Sequence, residues 1–175
     1  MKNILKNGLI WGLLTAVASA GGFLILLLGT TPVKGIITSL VGRSWGYIVL
    51  YFVGLSLFLV LKFGKEGYDV EKSAEKTSWS QLVGYTLVGN LAFMLVNIIV
   101  NYGNPTIVVV QYIAEFFAGE MGLSTKALVA EHKDSLFLAL LIHTAYCVIA
   151  TLGSCYLGMC KRRREKAKFE IKQTL

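Results

Sequence analysis

Four stretches of this sequence carry no Asp, Glu, Lys or Arg and are each long enough to cross a lipid bilayer. They cover residues 8–28, 45–61, 80–100 and 136–159. As an α-helix, the first would extend about 31 Å, and the hydrocarbon core of a bilayer is about 30 Å thick. Because backbone polar groups in hydrocarbon must be hydrogen-bonded within the protein, these stretches are predicted to be transmembrane helices.

The composition excludes a soluble domain. Hydrophobic residues make up 55% of the chain and charged residues only 15%, whereas soluble domains have about 25% charged residues. We therefore predict an all-α, polytopic membrane protein in which residues 1–175 form a single integral membrane domain with a four-helix transmembrane bundle. The net charge of +7 is expected to face anionic lipid headgroups rather than nucleic acid, because the basic residues flank the apolar spans.

The distribution of basic residues predicts the orientation. The N-terminus, the connection between spans two and three, and the tail 161–175 together hold 13 of the 17 Lys and Arg residues. The positive-inside rule therefore predicts a cytoplasmic N-terminus and C-terminus, which agrees with an even number of spans. The compact chain and the lack of glycosylation sequons in the outer connections favour a bacterial inner membrane as the cell membrane concerned.

The first span has an alternative interpretation as a cleaved signal peptide. Lys2 and Lys6 precede it, and Ala18-Ser19-Ala20 resembles a cleavage site. Cleavage after Ala20 would leave a mature chain that begins with the apolar sequence GGFLILLLG, so an uncleaved helix is favoured.

The connection between spans two and three and the connection between spans three and four differ in composition. The segment 62–76 is rich in both acidic and basic residues and is predicted to be a hydrophilic loop between spans two and three. The segment 106–119 is strongly apolar but too short to cross the bilayer. It is predicted to be a re-entrant or interfacial helix between spans three and four, with Gln111 and Glu115 on one polar stripe.

Polar residues inside the spans are the candidate binding residues, because each needs a partner or a water-filled path in hydrocarbon. The set on the predicted intramembrane polar face is Asn90, Asn97, His143, Thr151 and Glu115. We expect the asparagine face of span three to meet the face of span four that carries His143. The alternative is that these side chains only join helices by hydrogen bonds.

No catalytic, metal or cofactor site is predicted. His143 and Cys147 have the four-residue spacing of a base and a nucleophile on one helix face, but an apolar environment disfavours the thiolate that such a pair needs. The three cysteines form no CxxC pair, and His132 lies among charged loop residues.

Two further patterns concern partners. Gly12, Ala16 and Ala20 repeat at four-residue spacing, which is typical of close helix packing within a bundle or against another subunit. Arg162, Arg163 and Arg164 directly follow span four and are predicted to contact anionic lipid headgroups at the cytoplasmic face.

Three function classes remain open. The favoured one is a non-enzymatic subunit or accessory protein of a membrane complex, packed against other membrane subunits or copies of itself. The alternative is an oligomeric transport or permeation protein for an ion or small solute, and a membrane-embedded enzyme using His143 and Cys147 is least favoured.

Overall fold

Four long helices make up nearly all of the described structure. A computed structural model describes residues 2–28, 43–72, 78–99, 113–115, 117 and 131–174. The helices are α1 (Lys2–Leu28), α2 (Arg43–Lys72), α3 (Trp79–Ile99) and α4 (Lys133–Thr174). Each is long and apolar enough to cross a membrane, and the described residues contain no strand. The predicted all-α membrane bundle is thus confirmed.

The start of α3 is fixed by a local hydrogen-bond motif. The Gln81 backbone N–H donates to Ser78 Oγ at 3.3 Å, and the Ser78 N–H donates to Gln81 Oε1 at 2.9 Å. This reciprocal pair is a capping box, which satisfies two N–H groups that a helix start otherwise leaves without partners. It explains why the third helix begins at Trp79.

The helices pack in two parallel pairs. The most extensive contacts join α2 with α4 and α1 with α3. Along the first pair, Tyr51 contacts His143 and Glu71 contacts Arg163, so both helices run in the same direction. Between the pairs the direction reverses, since Trp11 of α1 packs on Phe63 of α2 with ring centroids 4.9 Å apart.

These directions bring the N-terminus of the chain and the end of α4 to the same end of the bundle. Trp11 lies near the start of α1 and Phe63 near the end of α2. The end of α2 in turn contacts the end of α4 through Glu71 and Arg163. We call this the basic end, because the basic clusters at Lys62 and Lys65 and at Lys161 to Arg164 lie there.

The loop prediction is wrong for residues 62–72, where α2 continues as a helix to Lys72. The rest of the predicted loop, 73–76, lies outside the described residues. Its charges support each other along the helix, with Lys62 Nζ 2.8 Å from Glu66 Oε1. The tail is also helical, to Thr174. Beyond the apolar spans, residues 62–72 and 161–174 form a two-helix extension about 15–20 Å long at the basic end.

Two polar contacts hold the extension together. Arg163 donates from Nε and Nη2 to the two carboxylate oxygens of Glu71, at 3.2 and 3.3 Å. Hydrogen bonding to Glu71 raises the pKa of the Arg163 guanidinium. One turn away, the Tyr68 hydroxyl donates to Glu165 Oε2 at 2.6 Å. The charged residues of the predicted loop thus bind the charged residues of the tail.

Glycines allow the closest helix approaches. A Cβ on Gly12 of α1 would lie 2.6 Å from the backbone oxygen of Gly89 on α3, and a Cβ on Gly8 would lie 2.6 Å from the side chain of Val88. Of the predicted stripe of Gly12, Ala16 and Ala20, Gly12 lies in this contact within the bundle. Ala20 is exposed, so packing of that end of the stripe against another subunit stays a prediction, and the close approach within the bundle continues through Gly8.

Candidate functional site between α2 and α4

His143 lies at the centre of the polar contact between α2 and α4. It is buried, and its Nε2 is 2.9 Å from the hydroxyl of Tyr51 on α2. On its own helix, Nδ1 is 3.9 Å from Cys147 Sγ, one turn further along. Either imidazole tautomer fits these neighbours, because a phenol and a thiol can each donate or accept.

A second hydrogen-bonded group lies one turn closer to the basic end. The Tyr146 hydroxyl bonds to Ser56 Oγ, and the Phe52 carbonyl oxygen lies 3.3 Å from the Tyr146 hydroxyl and 2.6 Å from Ser56 Oγ. Because each hydroxyl has one hydrogen, one hydroxyl donates to the carbonyl while the other donates to its fellow hydroxyl or to the same carbonyl. These side chains belong to α2 and α4, so this group, like the Tyr51–His143 bond, joins the same two helices.

Aromatic rings enclose the histidine. Phe52 of α2 and Phe93 of α3 have ring centroids 6.2 and 6.4 Å from the imidazole centroid. Among the described residues, the side chains that contact His143 are therefore a phenol, a thiol and apolar rings. A proton can be shared between the imidazole and the phenol or thiol beside it, and the aromatic rings restrict access of water to the imidazole.

Of the two predicted asparagine partners, the side chain of Asn90 is described. Asn90 is buried and donates from Nδ2 to the Thr86 carbonyl at 2.9 Å, within α3. The side chain of Asn97 lies outside the described part of the structure. Helix α3 does approach His143, but the described contact is made by the Phe93 ring. A direct contact between Asn97 and His143 stays a prediction.

The predicted polar face of α4 is buried along its whole length. His143, Cys147, Thr151 and Ser154 are all buried. Ser154 donates to the Ala150 carbonyl at 2.6 Å, whereas Thr151 Oγ1 has no hydrogen-bond partner among the described residues. Within the same ranges, two other buried oxygens also lack a partner, Ser19 Oγ of α1 and Asn90 Oδ1 of α3.

The remaining predicted residues fall in two places. Glu115 is buried in a short helical piece, and the adjacent Ile113 and Ala114 belong to the apolar core. Most of the rest of 106–119 lies outside the described residues. In the tail, Arg163 binds Glu71, and Arg162 Nη1 donates to the Tyr68 hydroxyl at 3.4 Å. Arg164 is exposed.

Sequence reasoning missed the residues on α2 that complete the site. Tyr51 and Ser56 lie in span two, from which no candidate residue is predicted. Their hydroxyls were the available signal, since a polar group in hydrocarbon needs a partner. Across the described ranges no three His, Cys, Asp or Glu side chains are grouped as metal ligands.

The comparisons with known proteins assign no family. No family model matches the chain, and no curated protein or solved structure is significantly similar to it. The fold and the polar contacts between its helices therefore define the chain only as a multi-pass helical membrane protein.

Proposed function

We propose that this protein is a non-enzymatic subunit or accessory protein of an assembly in the cell membrane, with both termini in the cytoplasm. The observation that supports this most is the use of the intramembrane polar groups. The hydrogen bonds of His143, Tyr146 and Ser56 bridge α2 and α4, which is how polar side chains hold membrane helices together.

The positions of the cavities also favour this proposal. A groove of about 550 Å³ lies between α2 and α4, and a hollow of about 410 Å³ lies between α1, α2 and α3. The first is bordered by Lys65 and Lys161 and the second by Lys62 and Glu66, so both lie at the basic end. Neither is lined by His143, Asn90 or Thr151.

A docking position for another membrane helix is suggested by Gly153 on α4. Unlike Gly12 and Gly158, it has no described atom within 4 Å of where a Cβ would stand. Glycine lowers helix stability by about 1 kcal/mol relative to alanine, and no described contact within this chain requires it here. Ile149 and Ala145 are also exposed, one and two turns before it on nearly the same face.

Replacing Gly153 with leucine should remove a partner without unfolding the bundle. We expect Gly153→Leu to keep the thermal transition of the purified chain, because Gly153 is exposed and no described atom lies within 4 Å of the position of the added Cβ. We expect the same change to lower recovery of a stoichiometric membrane partner, or of a homo-oligomer, at least about tenfold, since the side chain would separate two helix backbones. Purification in native nanodiscs measures both.

Leu91→Phe on α3 is the matched control, since it adds bulk at another exposed position. It should leave the assembly unchanged. A chain that is purified from native membranes only as a monomer, with or without leucine at position 153, would contradict the proposal.

The transport alternative is supported by the oxygens of Ser19, Asn90 and Thr151, which have no partner in the described ranges. Buried polar atoms of this kind usually bind water or a ligand. If they do so on a permeation path, liposomes holding only this chain should conduct an ion or small solute, and Asn90→Leu should abolish the flux. Liposomes without flux would reject this alternative.

A further inference from the structure

The groove between α2 and α4 has three chemically distinct layers. It runs along the outside of the pair where the apolar spans end. Leu61 of α2 and Leu157 of α4 line its membrane side, and both are largely exposed. Four residues further along each helix come Lys65 and Lys161, and four residues beyond these come Asp69 and Glu165.

The layers repeat on both helices because α2 and α4 run parallel. Residues four apart lie above one another on a helix face, about 6 Å apart along the axis. Each helix therefore contributes one apolar, one cationic and one acidic side chain in the same order from the membrane outward. The groove presents a hydrocarbon-facing wall, then a pair of ammonium groups, then a pair of carboxylates.

The helix backbones form the floor of the groove. Gly64 of α2 and Gly158 of α4 approach so closely that a Cβ on Gly158 would overlap the backbone oxygen of Gly64. The lining side chains of the neighbouring turns of α2 and α4 lie on either side of this contact. Gly64 and Gly158 thus let a ligand lie against the backbone between the two rows of side chains.

The charges of the groove are mostly available for a ligand. Within the described ranges, neither Lys65 nor Lys161 makes an ion pair, and Asp69 makes none either. Glu165 accepts one hydrogen bond from Tyr68, which also lines the groove. Arg162 and Arg163, which directly follow Lys161, instead donate hydrogen bonds to residues of α2.

We propose that this groove binds one phospholipid whose headgroup carries a phosphate followed by a primary ammonium group, as in phosphatidylethanolamine. The acyl chains lie against Leu61 and Leu157, the phosphate lies between Lys65 and Lys161, and the ammonium lies between Asp69 and Glu165. The order of charges in the lipid matches the order in the groove. A headgroup with phosphate alone leaves the carboxylates without a cation, and a trimethylated ammonium has no N–H to donate.

Gly153, the proposed docking position, is not among the residues that line the groove, although Leu157 lies one turn beyond it on the same face of α4. A lipid in the groove contacts both α2 and α4. Because the groove lies where the apolar spans end, the lipid also contacts both the membrane spans and the two-helix extension. If the basic tail only attracted acidic lipid nonspecifically, anionic headgroups would bind most tightly, and the loss of any one basic residue would weaken binding equally.

The test is lipid binding to the purified full chain in detergent, measured by native mass spectrometry with three dioleoyl lipids. We expect phosphatidylethanolamine to bind about tenfold tighter than phosphatidylglycerol or phosphatidylcholine, because only its ammonium donates charge-assisted hydrogen bonds to the carboxylates. Lys65→Ala and Lys161→Ala should each weaken its binding about fivefold. Lys168→Ala, an equal loss of charge further along the exposed tail, should have no effect.

Asp69→Asn is the variant that separates layered recognition from simple charge attraction. It should remove most of the preference for phosphatidylethanolamine over phosphatidylglycerol while the helix content by circular dichroism stays unchanged. Tighter binding of phosphatidylglycerol by the unmodified chain would overturn the proposal. So would equal effects of Lys65→Ala, Lys161→Ala and Lys168→Ala.

Discussion

Replacing Gly158 with alanine should destabilise the bundle by about 3 kcal/mol, the upper part of the range for overpacked interiors. The added methyl group would overlap the Gly64 backbone oxygen and would lie 2.9 Å from the Tyr68 backbone nitrogen. Both obstacles are main-chain atoms, which cannot move aside as a flexible side chain does. Helices α2 and α4 would have to separate, which weakens the most extensive contact in the bundle.

Gly153→Ala is the control for this prediction, since it makes the same chemical change in the same helix. Nothing in the described structure lies within 4 Å of the new methyl group. Stability should therefore stay the same or rise by up to about 1 kcal/mol, from the better helix propensity of alanine. The free energy of unfolding of both variants is measured by reversible unfolding in mixed micelles. Equal effects of the two changes would show that α2 and α4 are not packed as described.

The second large effect concerns Tyr51 and His143. Tyr51→Phe and His143→Leu should each lower the free energy of unfolding by about 1–3 kcal/mol, because each removes the hydrogen bond between two buried polar side chains. The double variant should cost less than the sum, with a coupling energy of about 1 kcal/mol, as found between membrane helices. The atoms concerned are 2.9 Å apart and buried, so water cannot readily replace either partner.

Thr144→Val serves as the reference in the same double-mutant cycle. Thr144 Oγ1 donates to the Leu140 carbonyl of its own helix at 2.8 Å, so its coupling to Tyr51 should be near zero. A Tyr51–His143 coupling that is also near zero would mean that the bond does not hold the helices together. In that case the structural interpretation of His143, which underlies the proposed function, would fail.

The spans could be predicted from the sequence because a bilayer-length apolar stretch without charge is stable in few environments except the hydrocarbon of a membrane. Each of the four predicted spans corresponds to one of the described helices. The burial of the α4 face that carries Cys147 and Thr151 was also predictable, since four-residue spacing places side chains on one face of any helix. These inferences needed only distances along a single helix.

The helical ends and the partners of the site could not be predicted in the same way. Residues 62–72 have the mixed charge of a loop, and their helix is stabilised by contacts such as Glu71 with Arg163, which are distant in sequence. The partner of His143 depends on which helices are neighbours in the bundle. The Gly64–Gly158 contact is one of those that join α2 to α4, and Gly64, within an apparent loop, gave no sign of it.

The central claim is that four helices cross the membrane and leave both ends of the chain on one side. It is tested most directly by labelling single cysteines in sealed inside-out vesicles with a membrane-impermeant maleimide, after the native cysteines have been replaced by serine. Cysteines introduced at Lys2 and Lys168 should both react before the vesicles are opened, and one at Asp134 should react only afterwards. Reaction of Lys2→Cys and Lys168→Cys from opposite sides would contradict the topology and the pairing of helices that depends on it.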